Sequence, residues 1–270
     1  MSLAFLKPLT ALVVASAMLI GCQPNTNDSN DAETADNAAS STESTTATNN
    51  TAAQQPTDAE ITAQNTTSEE VIEQPVTILA LGDSLTEGLG LAEEDAYPAQ
   101  LEKALQQAGY VNAKVINSGL SGETSTGLVN RLDWVLKTKP DITILTIGAN
   151  DAMRGIDVAT VDSNIRTAIQ RLQDEGSVIV LGGMQIYDNL GDEYVKSFSA
   201  LYPKIAEDTG VAFIPFFLDG VGGVPELNQA DAIHPTAEGY TRIVQNNILP
   251  VLKPTLAEFV DEQTADSAQP

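Results

Sequence analysis

Val76-Thr77-Ile78-Leu79-Ala80-Leu81-Gly82-Asp83-Ser84 is the stretch whose reading decides the fold. Six residues, mostly large and apolar, run without a charge and stop at a glycine. That is too short for a core helix and suits a strand buried on both faces. Similar runs recur at Lys114 to Asn117, Ile142 to Ile147, Val178 to Leu181 and Val211 to Ile214. Helical patterns lie between them: Tyr97 to Ala108 with Leu101 and Leu105 on one face and Gly109 as its stop, then Ser125 to Leu136, Val161 to Leu172, Tyr194 to Ala206 and Ala237 to Leu252. Strands alternating with helices at this spacing predict βαβ crossovers and an α/β, doubly wound fold. The expected sheet is parallel, about five-stranded and covered by helices on both faces. Ligands of such sheets bind beyond the carboxyl ends of the strands. The residues that follow the strands are therefore the informative ones: Gly82-Asp83-Ser84-Leu85, then Ser118-Gly119-Leu120-Ser121-Gly122-Glu123, then Gly148-Ala149-Asn150-Asp151.

Outward from this core the chain changes character. Lys7 precedes an apolar run from Leu9 to Ile20, which is too short to span about 30 Å of hydrocarbon and fits the hydrophobic region of a secretory signal. Leu19-Ile20-Gly21-Cys22 resembles the lipobox of bacterial lipoproteins, which implies removal of residues 1–21 and lipidation of Cys22. Gln23, in place of Asp, implies sorting to the outer membrane. Residues 23–74 are rich in Thr, Ala, Asn, Ser, Asp and Glu and contain neither Lys nor Arg. Such a segment cannot bury enough apolar surface to offset its ordering entropy. It is expected to be a disordered acidic tether, its ends on the order of 40 Å apart. Residues 75–254 then form the globular domain, and residues 255–270 are expected to be a frayed acidic tail.

The formal charge of -24 disfavours nucleic acid as a partner, because that binding depends on clustered Lys and Arg. One Cys cannot close an internal disulfide, and one His with one Cys cannot form a zinc cluster. No metal or other cofactor is expected. Any imidazole chemistry must come from His234.

Ser84 stands where a strand ends, beside a glycine that lets the backbone turn sharply, a position suited to presenting a hydroxyl at the rim of the sheet. On that feature alone, capping of a helix is the simpler account. A serine hydroxyl becomes a useful nucleophile only when a neutral imidazole removes its proton, and the imidazole needs a carboxylate to hold its tautomer. Asp231-Ala232-Ile233-His234-Pro235 offers that pair, three residues apart in a polar segment before the last helix.

Gly82-Asp83-Ser84-Leu85 resembles the first block of the SGNH/GDSL hydrolases, and further blocks follow in family order: Gly119, Gly148-Ala149-Asn150-Asp151 and Asp231-x-x-His234. The resemblance covers Val76 to Leu252 and extends to the branch of arylesterases and multifunctional thioesterase/lysophospholipases. It implies a flavodoxin-like SGNH fold with Ser84 as nucleophile, His234 as general base and Asp231 as its orienting carboxylate. The amides of Ser84 and Gly119 and the side chain of Asn150 would form the oxyanion hole. Ala149 stands where relatives often carry a second glycine. The implied reaction is hydrolysis of carboxylic esters, with short or medium acyl chains, aryl esters, lysophospholipids or thioesters as candidate substrates. Activity should rise with pH as the imidazole loses its proton. A deacetylase of glycans or cell-wall sugars is the alternative enzyme, and a non-catalytic binding module on a lipoprotein stalk the alternative of another class. The expected location is the cell envelope, through lipidated Cys22.

Overall fold

The computed structural model describes residues 71–186 and 188–267. The proposed signal, Cys22 and nearly all of the acidic tether lie outside the described residues. Five parallel strands form one sheet in the order β2-β1-β3-β4-β5: β1 (Val76–Gly82), β2 (Ala113–Gly119), β3 (Ile142–Thr146), β4 (Val178–Gly182) and β5 (Ala212–Ile214). Each stands at the apolar run that predicted it. The central strands are largely buried on both faces, as their mostly hydrophobic sequence requires, whereas β2 at the edge leaves Lys114 and Asn117 exposed.

Helices α3 (Ser125–Val135), α5 (Val158–Asp174) and α6 (Asp192–Thr209) pack against one another on one side of the sheet. On the other lie α2 (Tyr97–Gln107), α7 (Ala237–Arg242) and α8 (Leu249–Ser267). Val161, Ile165, Ala168, Ile169 and Leu172 show why α5 forms: they recur on one helical face and all five are buried. Two short helices, α1 (Ser84–Glu87) and α4 (Ala149–Met153), start directly after β1 and β3.

The chain leaves β1 toward β2 on one side and later returns through β3 on the other. The crevice between the carboxyl ends of β1 and β3 is thus the topological switch point. Register brings three loop starts level there, since Gly82 pairs with Gly119 on one flank and with Thr146 on the other. Gly82 has no substitute: a Cβ at this position would lie 2.2 Å from the Thr146 carbonyl oxygen.

Two expectations for the C-terminal part are corrected. The single helix from Ala237 to Leu252 is instead α7, a π-helical segment Ile243–Ile248 and α8. Pro250 lacks the N–H that a regular α-helix would give to the carbonyl four residues back, and the wider turn absorbs that missing bond. The tail from Thr255 is not frayed, because α8 continues to Ser267. Leu252, Leu256 and Phe259, at spacings of four and three, carry the apolar stripe onward and are buried, while Glu258, Asp261 and Glu262 face solvent. Leu256→Ala is expected to cost about 2–5 kcal/mol of stability in urea unfolding, and truncation after Pro254 at least as much; a truncated chain as stable as the whole would return this segment to the status of a tail.

Candidate active site

Ser84 is the first residue of α1, capped by Asp83, whose Oδ1 accepts the Leu85 N–H at 3.0 Å. The cap is therefore Asp83, and neither Ser84 nor Thr86 serves as one. Thr86 instead shares a buried hydroxyl contact with Thr146 of β3 at 2.8 Å. Position N1 of a helix has no intrahelical partner for its amide, and among the described residues the Ser84 N–H makes no hydrogen bond.

His234 reaches this point from 150 residues away. Its Nε2 lies 2.9 Å from Ser84 Oγ and its Nδ1 lies 2.6 Å from Asp231 Oδ2. The Asp231–His234 segment is a tight turn in which Asp231 Oδ1 also accepts the backbone N–H groups of Ile233 (2.9 Å) and His234 (3.0 Å). Ala232 at its centre has φ of +58°, a left-handed conformation uncommon outside glycine, and this lets the two side chains converge. The His234 side-chain bond, followed by those two amides, pulls the Asp231 carboxyl down to about 2. Asp231 thus stays ionised at any pH at which the imidazole can act, and holds Nδ1 as the protonated nitrogen while Nε2 faces the serine.

Asn150 sits in α4 on the far side of the switch point. Its Nδ2 donates to Asp83 Oδ2 at 3.3 Å, and this orients the amide. Gly148 before it has φ of +120°, and a Cβ there would meet the Tyr202 hydroxyl at 2.2 Å. Ala149 needs no such conformation and lines the neighbouring cleft, so the departure from glycine at this position is accommodated.

Gly119 requires a correction. Its N–H donates to Asn117 Oδ1 at 2.9 Å, so it is not open to an incoming oxyanion. Glycine is needed there for packing, because a Cβ would stand 2.0 Å from the Glu87 nitrogen, where β2 passes α1. The other glycine of the same loop, Gly122, has φ of +75°, and its N–H has no hydrogen-bond partner among the described residues. The signal that separates the two is local: Gly119 ends a strand, while Gly122 sits in the Ser121-Gly122 turn, where no ladder claims its N–H.

Asp83 is the group whose role its sequence position did not reveal. It is 2% exposed, and burial pushes its carboxyl up to about 6, against the opposing pull of the Leu85 amide, Asn150 and nearby His234. Asp151, the other acid of these blocks, is also fully buried, but it accepts from both the N–H and the hydroxyl of Ser125 at the start of α3.

Beside the triad runs an apolar cleft of about 500 Å³, lined in part by Leu85, Ala152, Met184, Phe216 and Ile233. Three of its lining residues, Leu85, Ala149 and Ile233, are sequence neighbours of Ser84, Asn150 and His234. Among the described residues no cluster of His, Cys, Asp or Glu could hold a metal ion.

A serine hydroxyl, an imidazole and a carboxylate in series at the mouth of an apolar cleft are the working parts of a serine hydrolase. Residues 80–242 match the model of the GDSL-like lipase/acylhydrolase family, and the chain belongs to that family. It is 38% identical over 181 residues to esterase TesA of Pseudomonas aeruginosa, covering 67% of this chain and 89% of that protein. It is 32% identical over 163 residues to the Escherichia coli K12 thioesterase 1/protease 1/lysophospholipase L1, covering 60% of this chain and 76% of that one. The crystal structure of the psychrotrophic esterase EstA from Pseudoalteromonas, inhibited by monoethylphosphonate, superposes with a TM-score of 0.62 at 30% identity, over 67% of this chain and 98% of that one. Fold, family and relatives together make this chain an SGNH-type serine esterase.

The raised Asp83 carboxyl has a consequence for stability. The folded state holds the proton up to about pH 6, whereas an unfolded aspartate releases it near its ordinary value of 3.8. The stabilisation is thus complete below about pH 4 and is lost as pH rises through 6, by roughly 3 kcal/mol. Urea unfolding of the parent and of Asp83→Asn between pH 4 and 7 should differ in slope, with the variant flatter; parallel curves would remove Asp83 as the titrating group.

Proposed function

We propose that Ser84 is the nucleophile, His234 the general base and then acid, and Asp231 the carboxylate that orients it, in hydrolysis of carboxylic esters with apolar acyl groups. The observation that carries this reading is the unbroken series from Ser84 Oγ to His234 Nε2 at 2.9 Å and from Nδ1 to Asp231 Oδ2 at 2.6 Å. Oγ attacks the ester carbonyl as its proton passes to Nε2. The resulting oxyanion takes the N–H of Ser84, the N–H of Gly122 and the free Nδ2 hydrogen of Asn150. Collapse expels the alcohol, which takes the proton back from Nε2, and water activated by the same imidazole then releases the acid from Ser84. Each oxyanion donor supplies on the order of 3 kcal/mol, because charge appears on that oxygen only along the reaction.

The apolar cleft favours a hydrocarbon acyl or aryl group over the hydroxyl-rich ring of a sugar, and this sets the esterase reading above glycan deacetylation. Lysophospholipids and thioesters, named among the activities of the Escherichia coli relative, are chemically compatible substrates. Cys22 is the proposed lipid attachment site, which would hold the enzyme at the envelope membrane with the domain on the tether of residues 23–74.

Ser84→Ala should abolish fluorophosphonate labelling and lower p-nitrophenyl ester hydrolysis by a factor of about a thousand or more. Turnover surviving in that variant would exclude Ser84 as nucleophile. Across a p-nitrophenyl ester series, kcat/KM should rise from acetate to medium-chain acyl groups as methylenes enter the cleft; a preference for acetate, with activity on acetylated sugars, would favour the deacetylase. Cys22→Ala should move the protein from the membrane to the soluble fraction, and continued dependence on detergent would indicate another anchor.

A further inference from the structure

The loop that carries Gly122 is held from two sides by arginines, neither of which contacts the Ser84–His234–Asp231 series. Arg131 reaches up from α3. Its Nε and Nη2 form a fork on Glu123, at 2.7 Å to Oε1 and 2.6 Å to Oε2. Its Nη1 donates to Ser118 Oγ at 2.8 Å, and Nη2 also donates to the carbonyl oxygens of Ser118 at 2.8 Å and Gly82 at 3.4 Å. Ser118 and Glu123 bracket the loop and are both buried, and Gly82 is two residues from Ser84. One planar cation therefore ties both ends of the Gly122 loop to the end of the strand that presents the nucleophile.

From the other side, Arg154 closes α4, its own N–H pointing back to the Asn150 and Asp151 carbonyls. Its Nη2 donates to the Gly122 carbonyl at 2.8 Å. The Arg154 side chain is exposed and has no ion-pair partner among the described residues. The three oxyanion donors belong to three separate segments, those after β1, β2 and β3. The paired register ends at Gly82 and Gly119, one further backbone bond runs from the Leu120 N–H to the Gly82 carbonyl at 3.0 Å, and beyond it these two guanidinium groups bridge the segments.

We propose that Arg131 and Arg154 are positioning residues that hold the oxyanion donors of Ser84, Gly122 and Asn150 at fixed separation. The inference rests on the serine-hydrolase reading of the site. An oxyanion hole contributes only if its donors are in place before charge develops, and a displacement of about 1 Å can cost on the order of a hundredfold in rate. The arginines act through the loop, so their loss should appear in kcat, with KM little changed.

The test uses the full chain. Arg154→Ala, at an exposed position, should leave the thermal midpoint unchanged and lower kcat for p-nitrophenyl butyrate about tenfold, with KM within twofold. Arg154→Lys, which keeps a cationic donor, should recover most of that loss. Arg131→Lys keeps the charge but not the fork, and should lower kcat by about a hundredfold. Inhibition by phenylboronic acid, which forms a tetrahedral anion on the serine, should weaken in each variant by the factor lost from kcat. The proposal is overturned if kcat is retained in either folded variant, if the loss lies in KM, or if boronate affinity does not follow. Should Arg131→Lys fail to fold, Arg154→Ala and its lysine rescue decide alone. Fluorophosphonate labelling of the parent chain is the control: without it the hydrolase reading itself fails, and with it a negative result falls on the arginines only.

Discussion

The site depends on one hydrogen bond that joins the two ends of the folded domain, from the serine after the first strand to the imidazole before the last helices. Ser84 and His234 are 150 residues apart, and their 2.9 Å contact exists only because every intervening crossover returns the chain to the same sheet. Nothing in the Asp231–His234 turn alone could aim Nε2 at a distant hydroxyl. The turn is nevertheless self-contained, since Asp231 accepts three donors within its own segment, and it arrives at the switch point with its carboxylate and ring already joined.

That arrangement divides labour between rigid and strained parts. The sheet supplies level strand ends, through the pairing of Gly82 with Gly119 and Thr146. Beyond those ends Ala232, Gly148 and Gly122 take left-handed conformations, and at Ala232 this brings the Asp231 and His234 side chains together. Buried polar groups then hold these segments: Asp83 on Asn150, Asp151 on α3, and Glu123 on Arg131. A part-buried bidentate pair such as Glu123–Arg131 is weak evidence for added stability, since desolvation offsets much of its attraction, but it is a strong geometric constraint. Geometry is what that pair contributes, as it fixes the Gly122 loop against α3.

Much of this was legible in the amino-acid sequence. The five apolar runs stand where the strands stand, and the clearest are the three central ones, because a strand buried on both faces must be hydrophobic nearly throughout. The blocks around Ser84, Asn150, Asp231 and His234 are legible through their resemblance to the SGNH/GDSL hydrolases, with the first two at strand ends and the last pair in a tight turn before α7. Gly119 was misleading for the same reason: glycine was required there, but for the approach of β2 to α1 and not for its N–H. The C-terminal segment from Thr255 reads as a tail because its charges are all acidic and its large apolar residues few, yet two of those, Leu256 and Phe259, are buried and determine that it is a helix.

By itself the sequence determined the α/β class, the strand positions, the residue types able to carry acyl transfer and the compositional break near residue 75, since each is written in local pattern and chemistry. Only the tertiary structure decided which glycine offers a free N–H, that Asp83 is a buried acid against Asn150, and that Arg131 and Arg154 bridge three loops. Those properties depend on which groups from distant segments find one another, and on which backbone donors remain after the ladders and caps have taken theirs.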